Sequence, residues 1–219
     1  MQYDARVSTR VYRTRRCTSA TCGLRFPAEA QSGLGAVCPL CGTLTELVDD
    51  VYATHGVRSP EVLGRVEIEV LLDNVRSLSN VGSMFRTADG AGVRHIHLGG
   101  VTPTPAHPKL AKTALGAETS VAWTRHADAV VAAAALKAGG RRLWAIEGGE
   151  RAMSLFDPAL RDAIAGAAIV LVLGHEVSGV DPRILELCER VLSLPMLGRK
   201  DSLNVSVAMG IAAYVLRFG

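Results

Sequence analysis

Short apolar runs recur along the chain at residues 66–72, 95–98, 120–123, 143–146, 168–173 and 191–194, and stretches of helical spacing separate them at 80–92, 109–115, 127–138, 182–188 and 204–218. Near-continuous aliphatic strands alternating with amphipathic helices predict an α/β domain, a parallel sheet with helices on both faces. Ahead of it, residues 53–64 (ATHGVRSPEVLG) lose periodicity and carry Gly56, Pro60 and Gly64, as a linker does. The expected layout is a small module over 1–52, a linker over 53–64 and the α/β domain over 65–219.

The helix over 80–92 has two distinct faces. Val81, Phe85, Ala88 and Gly92 share the face suited to a core; Ser79, Gly82, Ser83, Arg86 and Gly90 share another. Ser79 or Asn80 is the expected N-cap. A glycine inside a helix costs about 1 kcal/mol against alanine. Two of them, four residues either side of Arg86, predict either space cleared around that arginine or close packing of a neighbour.

Composition narrows the class. A chain of 219 residues, 48% hydrophobic, can bury one sizeable core with a small module to spare. It holds no apolar run of about 18 residues that could span a bilayer, and its arginine-dotted start lacks a signal-peptide core, so a cytoplasmic protein is expected. In a reducing compartment its cysteines are expected as metal ligands or buried thiols. The first 25 residues hold Arg6, Arg10, Arg13, Arg15, Arg16 and Arg25 against Asp4 alone, so +5 there leaves −2 on the rest of a chain of net charge +3. A basic end on a near-neutral body suits contact with RNA or DNA.

Four of the five cysteines lie in that front module, as CTSATCG and CPLCG. Cys17 and Cys22, then Cys38 and Cys41, form two knuckles, each closed by a glycine. Tetrahedral Zn²⁺ takes four thiolates, and a module this poor in large apolar residues needs such a staple. Four separate buried thiols, or a redox pair at Cys38 and Cys41, are the other readings. Cys188 stands apart and reads as core.

Two further stretches run from strand through glycine-bearing loop to helix. In IVLVLGHEVSGVDP, Gly174 and Gly179 flank Glu176; in LSLPMLGRKDSLNVSVAMG, Ser202 can cap the final helix. Glycines at a strand's carboxyl end let a ligand press on the backbone, and free amides at a helix start suit a polar ligand. The proline-rich connection at 99–108 also lies at a strand's carboxyl end, where open α/β sheets bind ligands. No G-x-G-x-x-G follows the first strand and no G-x-x-x-x-G-K-[ST] occurs, which argues against an ordinary dinucleotide or nucleoside-triphosphate site.

Taken together, NVRSLSNVGSMFRTADGAGV, LVLGHEVSGV and LPMLGRKDSLNVSVAMGIAAY resemble the three motifs of the SpoU/TrmH group of SPOUT RNA methyltransferases, in family order over some 150 residues; KTALGAE resembles a segment of one branch. The resemblance implies an α/β fold with a C-terminal trefoil knot, a homodimer, and S-adenosylmethionine as cofactor. It further implies methyl transfer to a ribose 2′-hydroxyl of tRNA or rRNA. By motif position, Gly174, Leu194 and Leu203 would contact the cofactor through the main chain, with Ile146, Glu176, Met196 and Ser202 beside it. Arg86 matches the catalytic arginine, Asn80 its partner, and Ser202 and Asn204 a polar pair. Because arginine's pKa exceeds about 12, Arg86 is expected to orient ribose and phosphate rather than to serve as an unaided base. The cysteine module departs from the family's usual front domains, which leaves the RNA target open. Base methylation, an RNA-binding protein without catalysis, and a nicotinamide-dependent enzyme are the competing readings.

Overall fold

The computed structural model describes residues 11–49, 51–53, 66–164 and 166–219. Arg6, Arg10, His55 and residues 54–64 of the expected linker lie outside them. The chain divides into two compact units, Met1–Val62 and Leu63–Gly219.

In the first unit β1 (Val11–Cys17) is the central strand, antiparallel to β2 (Arg25–Glu29), β3 (Thr45–Leu47) and β4 (Tyr52–Ala53). Ala53, expected to open the linker, instead pairs with Val11. Among the described residues the buried apolar side chains of this unit are Cys17, Ala28 and Cys38. That is too little burial to hold a sheet together unaided.

The second unit begins at β5 (Glu67–Asp73) and continues through α1 (Leu78–Ala91), β6 (His95–Gly99), α2 (Ala111–Ala114), α3 (Ala117–Ser120) and β7 (Ala122–His126). The chain then forms α4 (Ala129–Ala138), β8 (Arg142–Ile146), β9 (Met153–Ser154), α5 (Leu160–Ile164) and β10 (Ala168–Leu173). It ends with α6 (Pro182–Leu187), β11 (Arg190–Ser193) and α7 (Val205–Phe218). The seven strands form one parallel sheet in the order β7-β6-β5-β10-β8-β11-β9. Ile68, Val70 and Leu72 of β5 pack under α1 and α7, while Leu71 joins Val170, Val172 and Leu143 under Ala132 and Ala133 of α4 and Ile184 of α6. Helices thus cover both faces.

Several expected boundaries move for local reasons. Ser77, not Ser79 or Asn80, caps α1, its Oγ accepting from Asn80 N. Ser120 ends a helical turn instead of starting a strand: Gly116, in the left-handed region, lets α3 form, and Glu118 accepts from its amide. Asp128 caps α4 by accepting from Val130 and Val131 N. Asn204, not Ser202, caps α7.

Candidate active site

The carboxyl ends of β5, β6 and β10 are tied together by adjacent polar residues. Asp73 Oδ2 accepts from Asp181 N at 2.8 Å; Asn74 Nδ2 donates to Asp73 Oδ1 at 2.7 Å, and Asn74 Oδ1 accepts from Val101 N at 3.2 Å. Asn74 holds φ +56°, a conformation asparagine tolerates better than most residues. The loop after β10 folds over this platform as a tight hairpin in which His175 and Gly179 exchange backbone hydrogen bonds at 3.0 and 2.9 Å. A Cβ on Gly174 would sit 2.1 Å from the Gly179 carbonyl carbon, so the hairpin closes only because residue 174 has none. His175 Nδ1 accepts from Val177 and Ser178 N, which gives that ring a structural role.

Beside the hairpin lies a cavity of about 580 Å³ between the carboxyl ends of β8, β10 and β11 and the start of α7. Ile146, Gly174, Glu176, Leu194, Met196, Ser202, Leu203 and Asn204 all line it. Its size is that of a small-molecule pocket.

One chain of hydrogen bonds joins three distant segments at its rim. Glu176 accepts from Ser77 N at 3.0 Å, Arg76 N at 3.2 Å and Asn80 Nδ2 at 3.2 Å. Asn80 Oδ1 in turn accepts from Asn204 Nδ2 at 3.0 Å, and Asn204 Oδ1 from Ser206 N and Oγ at 2.9 and 2.6 Å. Burial raises the Glu176 carboxyl pKa, but hydrogen bonds from its own backbone and from Ser77, Arg76 and Asn80 outweigh burial and hold it below the usual carboxylate range. Ser202 donates weakly to Asp201 at 3.3 Å.

The Arg86 side chain is exposed on α1, makes no hydrogen bond or ion pair with any described residue, and does not line the cavity; nor does Asn80. The expected open space beside Arg86 is absent. A Cβ on Gly82 would lie 1.9 Å from Thr113 Oγ1 of α2, and one on Gly90 2.9 Å from the Tyr214 hydroxyl of α7. Both glycines are there for packing, and Arg86 rises between the two contacts.

Sequence reasoning overlooked Glu147. It lines the cavity, accepts from Val180 N at 2.9 Å and from Gly148 N at 3.2 Å, and would meet any Cβ on Gly179 at 2.5 Å. Its signal was present, since Glu147-Gly148-Gly149 follows β8 as Gly174 and Glu176 follow β10. Ser206 was also missed, although Asn204-x-Ser206 has the spacing of a helix cap.

In the first unit the four thiols of Cys17, Cys22, Cys38 and Cys41 lie within 4.8 Å of one another, with Cys17 to Cys41 at 3.4 Å and Cys22 to Cys38 at 3.8 Å. A tetrahedral zinc with 2.3 Å bonds needs sulfur separations of about 3.8 Å. Gly23 and Gly42, both at positive φ, donate to Ser19 O and Cys38 O and close the two knuckles. Hydrogen bonding with the Thr43 side chain and backbone brings the Cys41 thiol down to about 6, while burial pushes Cys17 up to about 12 and Cys22 is also raised, as expected where four thiols crowd together and cannot all ionise without a cation. The residues fit zinc.

A sequence profile of the SpoU rRNA Methylase family matches residues 67–214. The chain belongs to this family. It is similar to the 23S rRNA (guanosine(2553)-2′-O)-methyltransferase RlmP of Bacillus subtilis, 30% identical over 159 residues that cover 72% of this chain and 60% of that one. Similarity to the tRNA (guanosine(18)-2′-O)-methyltransferase of Escherichia coli is 29% over 163 residues, covering 74% and 68%. Among solved structures, the AdoMet-bound rRNA methyltransferase from Sinorhizobium meliloti matches with TM-score 0.63 and 27% identity, covering 69% of this chain and 56% of that one. The chain thus spans about three fifths of the length of several of its relatives.

Proposed function

We propose that the protein transfers a methyl group from S-adenosylmethionine to a ribose 2′-hydroxyl of tRNA or rRNA. The observation that carries this reading is the chain Glu176–Asn80–Asn204, which joins all three motif segments at the rim of the cavity. Bound there, the cofactor supplies a methyl carbon activated by its sulfonium. Backbone groups of Gly174, Leu194 and Leu203 hold it, with Ile146, Glu176, Met196 and Ser202 alongside. Glu176 and Asn80 fix the start of α1 and Asn204 that of α7, so attacking oxygen and methyl carbon can be aligned. Arg86 orients the ribose and its phosphate.

The same reading includes a homodimer and the C-terminal knot. Val207, Tyr214 and Phe218 form an exposed apolar stripe on α7, with Leu203 just before it. Arg86 adjoins that helix, because Thr87 approaches Gly210 and Gly90 approaches Tyr214. Docking of two copies through the stripe puts Arg86 at the subunit boundary, which accounts for an arginine standing outside its own chain's cavity. In the first unit zinc holds the knuckles and the exposed Arg13 and Arg16 dock RNA.

Incubation with isotope-labelled S-adenosylmethionine and total RNA, followed by nucleoside mass spectrometry, is expected to show a 2′-O-methylated nucleoside that Arg86→Ala abolishes. A base-methylated product would move the assignment to base chemistry, and no product with a folded, cofactor-binding protein would favour a binding role. Light scattering is expected to give a dimer that Tyr214→Glu dissociates.

A further inference from the structure

The cavity beside the 174–179 hairpin is charged as well as shaped. Its lining holds three carboxylates, Glu147, Glu176 and Asp201, and neither lysine nor arginine. Glu176 accepts from the amides of Ser77 and Arg76 and from Asn80 Nδ2, and Glu147 from the amides of Val180 and Gly148. These donors are neutral, so they fix the two side chains without cancelling their charge. Asp201 receives one weak hydrogen bond, from Ser202 Oγ at 3.3 Å, and most of its acceptor capacity stays open. None of the three forms an ion pair with a described residue.

Little positive charge stands against them. His175 lines the cavity, but its Nδ1 accepts from Val177 and Ser178 N, which leaves the ring a single proton and no charge. The start of α7 brings about half a unit of positive dipole, already capped by Asn204 Oδ1. Arg76, Arg151, Arg199 and Lys200 stand on adjoining loops, exposed to solvent and salt and outside the lining. A ligand in the cavity therefore meets net negative charge.

We propose that this charge distinguishes the cofactor from its spent form, and that Asp201 sets the preference. The inference rests on the reading of the protein as a methyltransferase that uses S-adenosylmethionine. That molecule carries a sulfonium, an ammonium and a carboxylate, one net positive charge. In the transfer the carbon–sulfur bond breaks with its electron pair left on sulfur, the ribose oxygen bonds the methyl carbon, and the hydroxyl proton leaves to water. The product, S-adenosylhomocysteine, is a zwitterion without net charge. The two differ in shape by one methyl group, so apolar and main-chain contacts separate them only weakly. Carboxylates separate them by charge, because they attract a cation more than a zwitterion. Asp201 is the one whose oxygens are not already taken by the fold. The cavity is thus one that its own reaction empties: the product is held less tightly than the molecule that replaces it.

Isothermal titration calorimetry of the full-length protein without RNA compares S-adenosylmethionine, S-adenosylhomocysteine and sinefungin. In sinefungin a protonated amine stands in for the methylated sulfonium, and no methyl group can be transferred. The unaltered protein is expected to hold the two cations more tightly than the zwitterion. Asp201→Asn removes one charge from an exposed side chain, so the fold should persist. It is expected to weaken both cations about three- to tenfold, between the worth of an exposed ion pair and of a hydrogen bond to a charged group, and S-adenosylhomocysteine less than about twofold. Asp201→Glu should keep the preference. Equal losses for all three molecules would make Asp201 a general contact and overturn the proposal, as would unchanged affinities or an unaltered protein that prefers S-adenosylhomocysteine. If S-adenosylmethionine binds and RNA is methylated while Asp201→Asn leaves the preference intact, only the role of charge falls. If the unaltered protein binds none of the three, the methyltransferase reading falls with it.

Discussion

Glu147 and Glu176 hold opposite sides of one hairpin and do so differently. Glu147 supports it from β8 through Val180 N, inside the cavity; Glu176 reaches out from it to the start of α1. Removing the first should disturb cofactor binding more than chemistry. Glu147→Ala is expected to raise the KM for S-adenosylmethionine about tenfold, in line with one lost hydrogen bond to a charged group, with kcat changed less than threefold in steady-state assays. Glu176 has a pH signature. Its folded pKa lies below the unfolded value of about 4.3, so its contribution to stability is full above that pH and is lost as pH falls through the lower, folded value. Thermal melts between pH 5 and pH 3 should show a decline that is shallower in Glu176→Gln. Glu176 was legible in the sequence because glycines bracket it at a strand's end. Glu147 was not singled out, because one acid before two glycines is a common turn until its partner, Val180, is seen 33 residues away.

Among the elements, α1 shows how one pattern supports two outcomes. Glycines four residues either side of an arginine mark a close approach, and the approach is made by helices, not by ligand. Gly82→Ala should raise intrinsic helix propensity by about 1 kcal/mol, yet cost about 1–3 kcal/mol net, because its Cβ would overlap Thr113. Denaturant unfolding checks the sign, and Thr113→Gly in the same chain should recover part of the loss. β6 carries another consequence. Burial depresses the His97 pKa, against the opposing pull of Glu69, with His95 and His126 also lowering it. A depressed histidine adds stability above the unfolded value of about 6.5 and loses it as pH falls through the folded one. Melting temperature should therefore fall as pH drops below about 6.5, and His97→Gln should flatten that dependence. Apolar runs made β5, β6, β8, β10 and β11 legible to within about two residues. β7 was displaced because its residues are mostly exposed at the sheet edge, where alternation carries little signal, and two-residue β9 leaves no pattern at all.

For the whole molecule, the two units stand on different physics. The second has aliphatic cores on both faces of its sheet; the first has four thiols. Zinc binding in small cysteine modules is worth about 10–16 kcal/mol and is in effect their folding energy. Chelation should accordingly unfold residues 11–53 and expose them to protease while 66–219 remain intact, as limited proteolysis followed by mass spectrometry would show. Cysteine spacing made this division readable in the sequence. What it could not give is the order of strands, which depends on contacts between residues a hundred positions apart, such as Leu72 with Leu173.

That pairing bears on how the chain is made. β10 lies between β5 and β8, yet both of its neighbours leave the ribosome before it. Until residues 168–173 emerge, β5 presents an open edge of unpaired amides and carbonyls, and β8, whose other neighbour β11 follows later still, stands alone with both edges open, so three paired strands and a single one await a shared centre. Chains terminated anywhere from residue 147 to 167 keep these edges exposed, so they should be far more prone to aggregate than chains that include β10, and the interval before residues 168–173 are made is when this molecule most needs a chaperone.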